Sequence, residues 1–171
     1  MTALASTISS PLDQAITALM PVAVAPKGAP FAALHSGQRL ILAADGVYIE
    51  VAHPALYVRQ RVSEARFPYG DLDEALVLPA GPIPRALYEQ MLAASVVAHP
   101  KEMAALIVST PDGYVLHRPE GHATAGSVQY NDHGYGDHPL VIDAHSHGHH
   151  AGYFSATDDA SDLSRIAPHL S

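Results

Sequence analysis

Apolar positions along this chain keep two different periods. Between Ser10 and Pro21, Leu12, Ile16, Leu19 and Met20 return at helical spacing and share one face. Ser10 suits the cap, Pro11 suits the first turn and Pro21 ends the run, so a helix is predicted there. The period then shortens. Arg39 to Ala43 and Val47 to Val51 are short apolar runs around Asp45-Gly46, a hairpin signal, and Ala55 to Val62 reads as a further strand. From Pro68 to Pro84, glycine and proline punctuate the chain around one brief apolar run, Ala75 to Leu78, which predicts a domain boundary near residue 80.

Beyond that boundary Pro84 opens a second helix that runs through Val97, turns Leu87, Met91 and Leu92 toward a core, and stops at His99-Pro100. Met103 to Ser109 and Tyr114 to His117 flank Thr110-Pro111-Asp112-Gly113 as a second hairpin, beginning directly after Glu102. Residues 118–138 are rich in Gly, His, Asn and Asp and read mostly as loop, with one short strand at Ser127 to Tyr130. Loops of that length often cover a substrate. Val141 to Ala144 then leads as a strand into His145-Ser146-His147, and Ser155 starts a last helix. The pattern predicts an α+β protein, with a strand-rich N-terminal region over residues 1–80 and a second domain over 81–171.

Composition narrows the classes of function. With 171 residues, 48% apolar and only 15% charged, the chain can bury a sizeable core. Its net charge of −8 and nine scattered Lys and Arg argue against nucleic acid as a partner. No cysteine is present, so any metal must take His, Asp, Glu or water. The N-terminus lacks a basic segment followed by a long apolar core, and no stretch reaches the roughly 18 apolar residues of a membrane span. Cytoplasm is the expected compartment, without a membrane partner. Ten of the twelve histidines follow residue 98, an enrichment that exposed, solubilising imidazoles also produce.

Chemistry concentrates at His145-Ser146-His147 and, after seven intervening residues, at Ser155-Ala156-Thr157-Asp158. A period of two puts both imidazoles on one strand face, and a helix opening at Ser155 brings Asp158 beside it. Two imidazole nitrogens and a carboxylate oxygen make the ligand set of a catalytic zinc, with a fourth position for water. Asp159 competes with Asp158 for the third place, and Ser155 with Asp158 also reads as a plain capping box. Both roles are compatible. His149 and His150 read as part of the solvated turn after the strand, while Asp143 is either an acceptor for a ligand imidazole or an ordinary strand carboxylate. For the base that such a water needs, Glu102 competes with Glu120, Glu89 and several aspartates.

The two-histidine, Ser and Asp spacing resembles the motif of JAMM (MPN-plus, prokaryotic JAB) metalloproteases, and Pro100-Lys101-Glu102 ahead of an apolar strand is similar to their upstream glutamate segment. The resemblance implies a cytidine-deaminase-like mixed sheet flanked by helices and a Zn2+ cofactor held by His145, His147 and Asp158. It further implies Glu102 as base and proton shuttle, Ser155 as hydrogen-bond donor to the oxyanion, and hydrolysis of peptide or isopeptide bonds at the carboxyl end of ubiquitin-like proteins. Ala55-Leu56-Tyr57-Val58-Arg59, Phe67-Pro68-Tyr69-Gly70, Gly81-Pro82-Ile83-Pro84 and Val141 to Gly148 resemble more narrowly the PRTRC system. That bacterial, often plasmid-borne gene cluster also encodes ubiquitin-like and activating-enzyme-like proteins, which become the expected partners. Two departures stand out. Gly148 replaces the proline that many family members carry after the second histidine, and the chain stops at Ser171, thirteen residues after Asp158, where the family usually adds strands. A sheet trimmed in that way would leave an edge open. Rival expectations are a catalytically silent MPN-type scaffold and a histidine-rich protein that stores zinc or nickel.

Overall fold

The structure, a computed structural model, describes residues 10–131, 135–165 and 168–171. The segment before Ser10, where no signal peptide is expected, lies outside them. Two compact units are present, one running to His53 with Tyr57–Val77 and the other made of Pro54–Leu56 and Leu78–Ser171. Helices and strands occur in both, so the class is α+β. Among the described residues no helix is long and apolar enough to cross a membrane.

In the first unit, α1 (Pro11–Leu19) starts where the Ser10 hydroxyl accepts the Asp13 N–H at 3.1 Å. Its apolar stripe is solvent-exposed at Leu12, Ile16 and Leu19. A five-stranded sheet follows in the order β1 (Val22–Val24), β2 (Gly37–Ala43), β3 (Gly46–Ala52), β4 (Tyr57–Glu64), β5 (Ala75–Val77), with β1 parallel to β2 and the other pairs antiparallel. The first hairpin turns one residue earlier than expected, on Ala44 and Asp45, since Ala43 already pairs with Gly46. Glycine is needed at 46 for another reason: a Cβ there would stand 2.3 Å from the Ser63 carbonyl oxygen of β4. Alternate residues of β3 point inward, and one of them is the fully buried Glu50. Arg39 Nε and the Tyr57 hydroxyl each donate to it at 2.5 Å, and the Leu34 N–H does so at 3.3 Å, which satisfies a carboxylate that burial would otherwise penalise.

The second unit begins with α2 (Arg85–Ala98). Leu87, Met91 and Ala98 lie on its half-buried side, whereas Leu92 is 53% exposed, contrary to the inward orientation expected of it. One residue beyond Met91 is a rotation of about 100°, which carries Leu92 off the packed stripe and onto the outer face with Tyr88 and Val96. A three-stranded antiparallel sheet has the order β10 (Leu140–Ser146), β6 (Met103–Thr110), β7 (Gly113–His117). Central β6 is buried without interruption from Met103 to Val108, as expected for a strand covered on both faces. Leu106, Val108 and Leu140 form the nearby core, with Tyr130 and Tyr135 packed against it. The stretch read mostly as loop holds a hairpin, β8 (Gly121–Ala123) paired with β9 (Val128–Tyr130). After β10 comes α3 (Ala156–Ser164), and the chain then returns to β10, where Leu170 bridges Ile142 in parallel. The Asp143 N–H donates to Leu170 O and the Leu170 N–H to Val141 O, each at 2.8 Å. This edge of β10 is therefore paired at that point, where a trimmed sheet was expected to leave it open.

Candidate metal centre

β10 delivers the histidines. His145 is its second-last residue and His147 follows its end, so the pleat turns both to one side and Ser146 to the other. His145 Nε2 and His147 Nε2 face each other at 3.2 Å. Ser146 Oγ accepts the Met103 N–H at 3.0 Å, fastening the histidine strand to β6 beside Glu102. Tyr153 lies against the His147 ring at 4.8 Å between centroids. These contacts of Ser146 and Tyr153 have no spacing signal in the sequence, because each depends on a partner brought near by the fold.

α3 delivers the carboxylate. Ser155 Oγ accepts the Asp158 N–H at 3.3 Å, and Asp158 Oδ2 accepts the Ser155 N–H at 2.6 Å, which completes a capping box. The other oxygen, Oδ1, stands 3.5 Å from His145 Nε2. Burial pushes the Asp158 carboxyl toward protonation, but the Ser155 hydrogen bonds and the neighbouring imidazoles outweigh it and hold its pKa below the ordinary value. Asp159 is exposed on the outside of the helix.

His145, His147 and Asp158 each offer one donor atom, all within 4.8 Å of one another. Ligand bonds of about 2.0–2.1 Å in a tetrahedron set neighbouring donors about 3.3–3.4 Å apart. The separations of His145 from His147 and from Asp158, 3.2 and 3.5 Å, straddle that value, and with the third pair within 4.8 Å the three residues could hold a four-coordinate ion with one position left over.

A small cavity of about 140 Å³ opens on the three donors and is also lined by Glu102, Ser155, Tyr153 and His150. Glu102 is buried, its N–H donates to Thr124 O at 2.8 Å, and its Oε1 lies 3.8 Å from His147 Nδ1. Its competitors lie elsewhere: Glu89 pairs with Arg85 on the exposed face of α2, and Glu120 is exposed. His149 is exposed, with its ring against His99, while His150 reaches the cavity wall. Asp143 serves neither histidine. Its carboxylate accepts the Tyr130 hydroxyl at 2.7 Å and pairs with Arg165, the residue that ends α3. Burial, then the bond to Asp143, raises the Tyr130 pKa well above its ordinary value.

Gly148 follows His147 at a close approach of backbones. A Cβ there would meet the Pro100 carbonyl oxygen at 2.2 Å and the Ala125 carbonyl oxygen at 2.8 Å. This position therefore excludes any side chain, and glycine joins the end of the histidine strand to the segment just ahead of Glu102.

Residues 84–170 match the family model described as prokaryotic homologs of the JAB domain. Residues 10–79 match a domain of unknown function, DUF2016. No curated protein and no solved structure matches the chain.

Proposed function

The chain belongs to the family of prokaryotic homologs of the JAB domain, and on that premise we propose that it is a zinc-dependent peptide or isopeptide hydrolase acting on the C-terminal tail, or the conjugates, of a ubiquitin-like protein. The observation that carries this reading is the convergence of His145, His147 and Asp158 on one cavity that also holds the buried Glu102 carboxylate and the Ser155 side chain. Zinc on those three ligands would supply Lewis acidity, lowering the pKa of a water to about 7 and polarising a substrate carbonyl.

The remaining steps fall to the chain itself. Glu102 takes a proton from the water as its oxygen bonds to the carbonyl carbon, then passes that proton to the amine as the C–N bond breaks. Ser155 uses a hydroxyl lone pair for the Asp158 N–H, which leaves its own proton to donate to the oxyanion. The capping role and the catalytic role thus use different parts of one hydroxyl. A cavity this small favours a substrate segment without side chains at the reacting bond, as in a glycine-ended tail. In this proposal the domain is cytidine-deaminase-like, and the protein works in the cytoplasm. The DUF2016 match and the short segments resembling the PRTRC system support placing it as protein A of that gene cluster, with the cluster's ubiquitin-like and activating-enzyme-like proteins as partners.

The test incubates the zinc-loaded protein with the ubiquitin-like protein encoded beside it, with Glu102→Gln and His145→Ala as companions. Glu102→Gln is expected to keep one tightly held zinc and to lose about 10²–10⁴-fold in cleavage rate, while His145→Ala loses the metal as well. Equal product from wild type and Glu102→Gln would sink the mechanism. A stable fold with neither zinc nor cleavage would point to a scaffold, and several weak ions indifferent to Asp158 would point to storage.

A further inference from the structure

Beside the metal centre lies a second, roomier cleft of about 410 Å³, within the usual range for binding pockets. It shares Glu102 and Val128 with the cavity on the histidines, so the two are neighbours with the carboxylate on a common wall. Ala98, Ala104, Gly121 and Ala123 line it with almost no side-chain volume, and Met103 and Pro119 complete an apolar wall. Its charged groups are Lys101, Arg118 and Glu102.

Two of the four polar side chains here face other groups. Tyr130 gives its proton to Asp143, and Glu102 lies on the side toward His147. The side chains of Lys101 and Arg118 have no hydrogen-bond or ion-pair partner among the described residues. Both cations stand over an apolar floor, in a chain of net charge −8. The neighbouring cavity around Asp143, Asp158 and Asp162, which shares Val128 and Tyr130 with the cleft, carries the reverse sign.

We propose that this cleft is a carboxylate-recognising subsite, in which Lys101 and Arg118 bind an acidic group of the substrate near the bond to be cut. The proposal rests on the hydrolase reading for its meaning, since it names the chemistry of the substrate beside the scissile bond. Arg118 can hold a carboxylate with two parallel N–H donors and Lys101 adds a point charge, while the apolar floor accepts the methylenes of a glutamate. The acidic group comes either from a side chain or from a chain terminus.

Binding alone tests this, with metal-free full-length protein and fluorescence anisotropy of three labelled peptides. They are acetyl-Ala-Glu-Ala-Gly-Gly-amide, its Gln counterpart, and the Gln counterpart with a free C-terminal carboxylate. At least one carboxylate-bearing peptide is expected to bind about tenfold more tightly than the neutral one, and which of the two does so identifies the source of the charge. Lys101→Gln with Arg118→Gln is expected to erase that difference and its salt dependence. Both side chains are exposed, so the folded state should survive, as circular dichroism and the melting temperature will verify. Equal binding of the three peptides, no binding at millimolar concentration, or a preference that outlives both substitutions would overturn the proposal. Because no metal is present, a protein that passes this test yet cleaves nothing after zinc loading would overturn the hydrolase reading and leave the subsite in place.

Discussion

At the scale of single residues, the centre is held by contacts too close to allow substitution. Gly148 is the sharpest example, with the space of a Cβ already filled by the Pro100 and Ala125 carbonyls. Gly148→Ala is expected to push His147 away from the Pro100 to Glu102 segment and weaken zinc binding by at least tenfold, read by competition with a colorimetric chelator. Unchanged affinity would show that the neighbouring backbone yields without cost. The departure from the family's usual proline thus has a steric basis. The donors were legible from sequence because their geometry is local: alternation along a strand pairs His145 with His147, and one helical turn brings Asp158 to Ser155. Glu102 could not be separated from Glu89 and Glu120 by spacing alone, since what distinguishes it is burial next to a strand 43 residues away, which begins with the Met103 to Ser146 bond.

At the scale of elements, β10 with the residue that follows it and α3 supply all three donors, and the pair Asp143 with Arg165 ties one to the other. Both side chains are nearly buried, and Tyr130 of β9 joins them through its hydroxyl. Removing one member of such a pair leaves an uncompensated charge, which costs about 3–5 kcal/mol. Arg165→Met is expected to lower stability on that order in urea titrations and, by loosening α3 against β10, to weaken zinc binding by about 10–100-fold. Arg165→Lys should restore part of both, and full zinc affinity in Arg165→Met would limit the pair to a role in folding. This network was illegible in the sequence. Asp143 read as an acceptor for a ligand imidazole or as an ordinary strand carboxylate, and nothing in the period of the chain joins positions 130, 143 and 165. The strand β8 escaped for a similar reason, because Gly121-His122-Ala123 has no apolar alternation and depends on pairing with Val128 to Tyr130. Leu170 likewise becomes a strand residue only through its partner on β10.

At the scale of the whole molecule, the carboxylates that give the chain its net charge of −8 are not all solvated. Glu50, Glu102 and Asp143 are buried, the first and last of them in full hydrogen-bonded pairings. Zinc would place positive charge beside Asp158 and near Glu102. A ligand that binds only the folded state stabilises it by about 2.7 kcal/mol at one hundred times its dissociation constant. Chelation is therefore expected to lower the melting temperature, and in hydrogen-exchange mass spectrometry to loosen β10 and α3 while leaving β2, β3 and β4 of the other unit unchanged. Uniform loosening of both units, or none, would count against a single metal centre.

The two oxygens of Asp158 divide their work, one accepting the N–H that starts α3 and the other facing His145. The first turn of that helix and the third donor are consequently one structural event. A chain in which α3 has not yet wound would offer a metal only two imidazoles, so in the proposed hydrolase metal capture would depend on completed folding. Nascent or damaged copies would stay empty, and a hydrolase built this way would come into service only once α3 is in place.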